Sequence, residues 1–184
     1  RTVSHSVLVL IPAAWLLWAW LRTRGGRVAE APRRWLWAIV LALVTHPILD
    51  AFTVYGTQLL WPLPIKPMMW SSVFIIDPLY TIWLLAACIA AWWLRERIAA
   101  QRVLLAGLVL SSAYLAWSLL AKVAVDREAG RALAAIGLAD APRFSVPMPF
   151  NTVLWRVVAM TPQGFVEGER SLLADSGPMV FRGY

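Results

Sequence analysis

Hydrophobic positions in this chain fall into four long runs, separated by short polar segments, and then give way to a mixed tail. The runs are HSVLVLIPAAWLLWAWL (about 5–21), WLWAIVLALVTHPILDAFTV (about 35–54), VFIIDPLYTIWLLAACIAAWWL (about 73–94) and VLLAGLVLSSAYLAWSLLA (about 103–121). Each meets or approaches the roughly 20 helical residues that cross about 30 Å of hydrocarbon. Pro12, Pro47 and Pro78 lie inside or near the start of these runs, which membrane helices tolerate, often with a kink. The pattern predicts an all-α integral membrane protein, a four-span helical bundle over residues 1–122.

Residues 123–184 are a different material and are expected to form a small extramembrane tail. VAVDREAGRALAAIGLAD (123–140) mixes charge and alanine at helical spacing and reads as a water-exposed or interfacial helix. APRFSVPMP is a proline-punctuated linker. FNTVLWRVVAMT and FVEGERSLL flank Pro162-Gln163-Gly164, where proline second and glycine fourth suit a type I turn, so this stretch predicts a β-hairpin. There Trp155 reads as a packing residue and Arg156 as a surface charge.

Composition strengthens the membrane reading. Mean hydropathy is +0.66, 60% of residues are hydrophobic and twelve are tryptophan, a residue that concentrates at bilayer interfaces. The net charge of +7 must be read by location. RTRGGRVAEAPRR (22–34) holds five arginines against one glutamate, RERIAAQR (95–102) three against one, and residues 55–72 carry only Lys66. The positive-inside rule then puts the two arginine-rich loops in the cytoplasm and the 55–72 loop outside. The four spans alternate without conflict, and the tail falls on the outer face of the membrane, periplasmic in a Gram-negative host. With no zinc-finger spacing, phosphate-binding loop or RNA-binding signature, nucleic acid is not an expected partner. Cys88, the single cysteine, can form no internal disulfide and suits packing.

The ionisable residues change the picture. Of ten acids, six lie in the tail and two, Glu30 and Glu96, in the cytoplasmic loops; the rest are Asp50 and Asp77. The only histidines are His5 and His46. All four of these groups sit within or at the ends of apolar runs, and the topology directs all four outward. Counted from Trp35, His46 lies about 16 Å and Asp50 about 22 Å along the helix axis. Being four apart, they share one helix face. An isolated ionisable group in lipid costs about 2.5–3.5 kcal/mol, so convergence suggests mutual compensation or a bound cation. Histidine with carboxylate suits zinc or another first-row divalent ion. Three protein ligands with an open position would activate water, and a remaining carboxylate would serve as general base. Ser4, Ser6 and Thr45 stand beside the histidines as candidates to orient the imidazoles.

Plainer readings stand beside this one. A histidine at a helix end can be interfacial, His46–Asp50 can be a structural pair between spans, and Asp77 before Pro78 can simply cap a helix. Intramembrane Asp and His also serve proton or ion transfer, although no inverted repeat marks a complete transporter. A structural or regulatory module acting through the tail is a third reading.

RTVSHS (1–6), THPILDAFTVYGTQLLWP (45–62), IIDPLY (75–80) and PFNTVLWRVV (149–158) resemble the LexA-regulated, inner-membrane, metal-dependent hydrolase family, the YdjM-like family. The likeness is most specific at 45–62, where histidine, aspartate, Tyr-Gly-Thr and Trp-Pro fall in order. It implies a multi-span bacterial membrane hydrolase whose His/Asp pattern is similar to that of zinc-dependent phospholipase C-type enzymes, with phosphoester or lipid-like substrates. By motif, the family's Ser/Thr-His-Ser histidine falls on His5, with Arg1 as the preceding arginine. Its His-x-x-x-Asp element falls on His46 and Asp50, and its acid before proline on Asp77. Members usually carry an upstream apolar segment with aspartates and often a histidine, so the resemblance implies further ligands before Arg1.

The sequence therefore predicts a membrane-bound hydrolase in which His5, His46, Asp50 and Asp77 ligate a divalent metal ion, zinc foremost. Asp77 is the further ligand or the general base. Arg1 would steady an anionic phosphate, and Tyr55, Thr57 and Gln58 would contact an ester, phosphoester or phospholipid substrate at the outer face. For Tyr55 an interfacial anchor is the alternative.

Overall fold

The computed structural model describes residues 2–95 and 98–184, which fall into two compact units divided between Trp70 and Ser71. In the first, a 3-10 turn at Val3–His5 leads into α1 (Val7–Thr23), a four-residue α2 (Arg27–Glu30) and α3 (Pro32–Ala51). The chain reverses after α1 through Gly25 and Gly26, at φ +78° and +66°, values that glycine adopts at no steric cost. Pro32 opens α3 where a missing N–H is not needed. Trp18 Nε1 donates to the Pro32 carbonyl at 2.8 Å, tying the end of α1 to the start of α3. Pro47 sits buried inside α3. It withholds one helical donor, yet the helix runs on to Ala51.

Residues 52–70 form an ordered loop. Thr57 and Met68 exchange two backbone hydrogen bonds of 2.9 Å, and Trp70 N donates to the Ala51 carbonyl at 2.7 Å. The Phe52 and Trp70 rings meet edge-on with centroids 4.6 Å apart. The loop grips the start of α1: fully buried Ser6 donates its hydroxyl to the Trp61 carbonyl at 2.6 Å, and Val7 N donates to the Leu59 carbonyl at 2.8 Å.

The second unit holds α4 (Pro78–Leu94), α5 (Ile98–Ala135) and strands β1 (Arg143–Pro147), β2 (Leu154–Thr161), β3 (Gly164–Ser171) and β4 (Phe181–Gly183). The strands form one antiparallel meander in the order β1-β2-β3-β4. Its centre is the predicted hairpin, in which Thr161 pairs with Gly164 around Pro162-Gln163. Along β2, Trp155, Val157 and Ala159 alternate inward, the period of a sheet buried on one face. Trp155 and Val157 pack with Ala121, Val125, Ala129, Ala132 and Met179, so the core lies between the sheet and the C-terminal half of α5. On the open face Arg156 pairs with Glu167 at 3.0 Å and Glu169 at 3.2 Å. Arg170 reaches Glu128 of α5 at 2.8 Å.

This architecture corrects the expected all-α four-span bundle. Among the described residues the chain has a four-stranded sheet as well as five α-helices, and of these helices only α3 and α5 are long and apolar enough to cross a membrane. The other two expected spans, α1 and α4, are 17 residues each, about 26 Å at 1.5 Å per residue and short of about 30 Å. The third run shrinks because Asp77 and Pro78 start α4 five residues into it, leaving residues 73–76 outside the helix. The fourth run and the expected tail helix are one helix, α5, continuous through residue 122 over 38 residues.

The two helices of this unit approach closely at Gly107. A Cβ there would lie 2.4 Å from Ala87 Cβ and 2.8 Å from the Trp83 carbonyl oxygen, one of them unyielding backbone. Overpacking of this kind costs about 1–3 kcal/mol, against roughly 1 kcal/mol gained from alanine's helix propensity. Gly107→Ala is therefore expected to lower the thermal midpoint of the detergent-solubilised protein, and an unchanged or raised midpoint would refute the close crossing.

Candidate metal centre

Three side chains of the first unit converge. His5 ends the 3-10 turn, and its position follows from Ser6, whose buried hydroxyl is anchored to the 52–70 loop. His46 and Asp50 come one turn apart from the last part of α3, as their spacing requires. His5 Nε2 lies 3.2 Å from Asp50 Oδ2, and His46 Nε2 lies 4.0 Å from the same oxygen. The two imidazoles face each other with centroids 5.3 Å apart. One ligand atom from each residue falls within 4.8 Å of the others.

The environment is uneven. The side chains of His5 and Asp50 are 20% and 17% exposed, but that of His46 is 67% exposed. Two of the three side chains are thus held by the fold, and the third borders the open side. Ser4 Oγ lies 2.9 Å from His5 Nδ1. When Nδ1–H donates to that hydroxyl, Nε2 keeps its lone pair toward Asp50, the tautomer that a metal ligand needs. The other two candidate orienting hydroxyls have different tasks: Thr45 donates to the Leu41 carbonyl at 2.7 Å, and Ser6 donates to Trp61.

The donor set fits a first-row divalent ion. Bonds of about 2.0–2.1 Å in tetrahedral geometry put neighbouring ligand atoms about 3.3 Å apart. The His5–Asp50 pair already has that spacing, at 3.2 Å. His46 is the member that must close in, and its exposed ring has the freedom to do so.

Asp77 belongs to the second unit, where both carboxylate oxygens are engaged. Oδ1 accepts from Leu79 N at 3.0 Å and Tyr80 N at 3.3 Å, capping α4, and Oδ2 accepts from the Tyr114 hydroxyl at 2.8 Å. Thr152 Oγ1 donates to the Tyr114 oxygen at 3.3 Å and accepts from Trp117 Nε1 at 3.1 Å. A buried aspartate with three donors is well compensated. The sequence carries no signal that Tyr114 and Thr152 serve Asp77. Tyr114 stands 37 residues from Asp77, and nothing local announces the bond.

The expected substrate contacts differ in placement. Tyr55 is exposed and Gln58 half-buried. Thr57 is fully buried, and its hydroxyl has no hydrogen-bond partner among the described residues, so in this conformation its side chain offers no surface to a ligand. Arg1 lies outside the described residues.

A family model, YdjM inner membrane protein, matches residues 1–125. That stretch takes in the His5, His46 and Asp50 cluster, all of α4 and most of α5, and stops before the sheet. No curated protein and no solved structure matches the chain.

Proposed function

Because the chain belongs to the YdjM inner membrane protein family, and is thereby a membrane protein, we propose that it is a metal-dependent hydrolase acting at the outer face of that membrane. The observation that carries the reading is the approach of one ligand atom each from His5, His46 and Asp50 to within 4.8 Å of one another. The cluster lies at the C-terminal end of α3, opposite the start that carries Arg33 and Arg34. The positive-inside rule puts that arginine-bearing end in the cytoplasm and the cluster outside. With α3 and α5 both crossing, the protein in this reading is multi-pass.

In this reading His5, His46 and Asp50 hold a divalent ion, zinc being favoured by the two imidazoles and single carboxylate. When bound, such an ion supplies Lewis acidity and a nucleophile from water at neutral pH. Asp50 contributes the negative charge that draws the cation, and the Ser4 hydroxyl would accept from His5 Nδ1–H in the tautomer that ligates through Nε2. Tyr55 and Gln58, on the loop that follows α3, would contact an ester or phosphoester substrate, including a lipid-like one. Asp77 performs the duty its hydrogen bonds describe, holding the start of α4.

The test is hydrolysis of phosphodiester and phospholipid substrates by the purified protein in detergent before and after chelation. Loss of a metal's several kcal/mol of transition-state stabilisation should lower the rate about 100-fold or more, with recovery on adding zinc. A rate indifferent to chelation would defeat the proposal. Metal-independent proton flux through reconstituted vesicles, with no hydrolysis, would favour the proton- or ion-transfer alternative.

A further inference from the structure

One face of α5 changes character along its length. Leu105, Val109, Leu120 and Val123 share one face by helical spacing, with Ala113 and Ala116 between Val109 and Leu120, and all are exposed. The next two positions on that face are Arg127 and Arg131, also exposed. From Leu105 to Val123 the rise is about 27 Å, close to the thickness of the hydrocarbon core. Arg102 at the other end and Arg127 are about 38 Å apart along the helix, which sets both at headgroup depth in a bilayer about 40–45 Å thick overall.

A third arginine joins the two. Arg143, at the start of β1, lays its guanidinium against α5 at Gly130, where a Cβ would stand only 3.2 Å from Nη2. Arg127, Arg131 and Arg143 thus border one shallow recess with Gly130 as its floor. The recess has one acid, Asp126, whose carboxylate is engaged by Lys122 at 3.4 Å and by the Ser145 hydroxyl. None of the three guanidinium groups forms an ion pair among the described residues. Phe144, next to Arg143, is exposed and adds an apolar contact at the same level.

We infer that this recess binds the phosphate headgroup of an anionic phospholipid, whose acyl chains lie along the Leu120–Val123 stretch of α5. Charge complementarity selects an anion, and guanidinium forks suit phosphate oxygens. The apolar stripe that leads directly into the recess selects a lipid over a soluble phosphate. The site is separate from the histidine cluster and stands whether or not that cluster is catalytic.

The test is native mass spectrometry of the protein released from nanodiscs containing equal phosphatidylglycerol and phosphatidylcholine. A juxtamembrane arginine contributes about a fivefold preference for anionic lipid. The wild type should therefore retain phosphatidylglycerol selectively, and R127Q/R131Q/R143Q should lose that selectivity. Gly130→Ala gives a second reading. It favours the helix by propensity but displaces the Arg143 guanidinium, so it should weaken retention several-fold while the circular dichroism of the helix is kept. Equal retention of the two lipids by wild type and triple variant would overturn the inference. Displacement of the lipid by millimolar inorganic phosphate would also overturn it, by marking a site for soluble anions.

Discussion

Asp50→Ala should lower divalent-metal affinity by about 100-fold or more and remove metal-dependent hydrolysis with it. Asp50 Oδ2 is the oxygen that both histidines approach, at 3.2 Å and 4.0 Å, so its loss removes a ligand and leaves two imidazoles with no anion between them. Changing groups that merely orient a ligand typically costs 10–100-fold in affinity or activity, and removing the ligand itself should exceed that. Asp50→Asn separates charge from shape: the amide nearly matches the carboxylate in size but brings no negative charge. It should retain the fold of α3 and still bind metal poorly. His46→Ala should also lose affinity, and because that ring is the exposed member of the set, its removal should disturb folding least. Zinc titrations of the three variants in detergent, followed by calorimetry, measure all of this. An unaltered isotherm for Asp50→Ala would exclude the carboxylate as a ligand.

The largest effect on stability is expected at Trp155. The side chain is fully buried between the sheet and α5, and its Nε1 donates to the Thr152 carbonyl at 2.8 Å. Tryptophan-to-alanine changes at such sites cost about 3–5 kcal/mol. The buried neighbours Ala121, Val125, Ala129 and Val157 are small, and Met179 can fill only part of the space. In Trp155→Ala, amide protection in β2 and β3 should fall by about 100-fold or more in hydrogen exchange. The apolar part of α5 should remain protected, because its packing against α4 at Gly107 and Ser111 does not involve Trp155. Protection within about fivefold of wild type would mean that the sheet is held by something other than this core.

The elements differ in how far the sequence exposes them. The expected span of 35–54 and the observed α3, Pro32–Ala51, agree within three residues because proline and arginines mark the start and the 52–70 loop ends it. The third run misleads because hydropathy cannot distinguish the irregular, bent residues 73–76 from a helix, whereas the Asp77 cap marks the true start. The fourth run hides the length of α5. The helix exchanges apolar neighbours for the sheet without a break, and its buried face simply continues through Ser118, Ala121, Val125, Ala129 and Ala132.

The sheet is legible only at its centre. Pro162 and Gly164 announce the hairpin, but β1 lies inside a segment that its prolines make look irregular. Pro147 is tolerated because it ends a strand at the sheet edge. Strand β4 is three residues long, too short for alternation to reveal. In the candidate metal cluster, His46 and Asp50 come together by helical spacing, which sequence displays. The approach of His5 depends on Ser6 meeting the Trp61 carbonyl 55 residues away, a contact that no local pattern encodes.

The central claim is that His5, His46 and Asp50 together bind a divalent ion. Inductively coupled plasma mass spectrometry of the protein, purified without chelator and exchanged into metal-free detergent buffer after zinc loading, tests it most directly. The account predicts about one zinc per chain in the wild type and almost none in Asp50→Ala at matched folded fraction. Folded wild-type protein that retains no zinc, manganese or iron, or equal metal content in the two proteins, would contradict it.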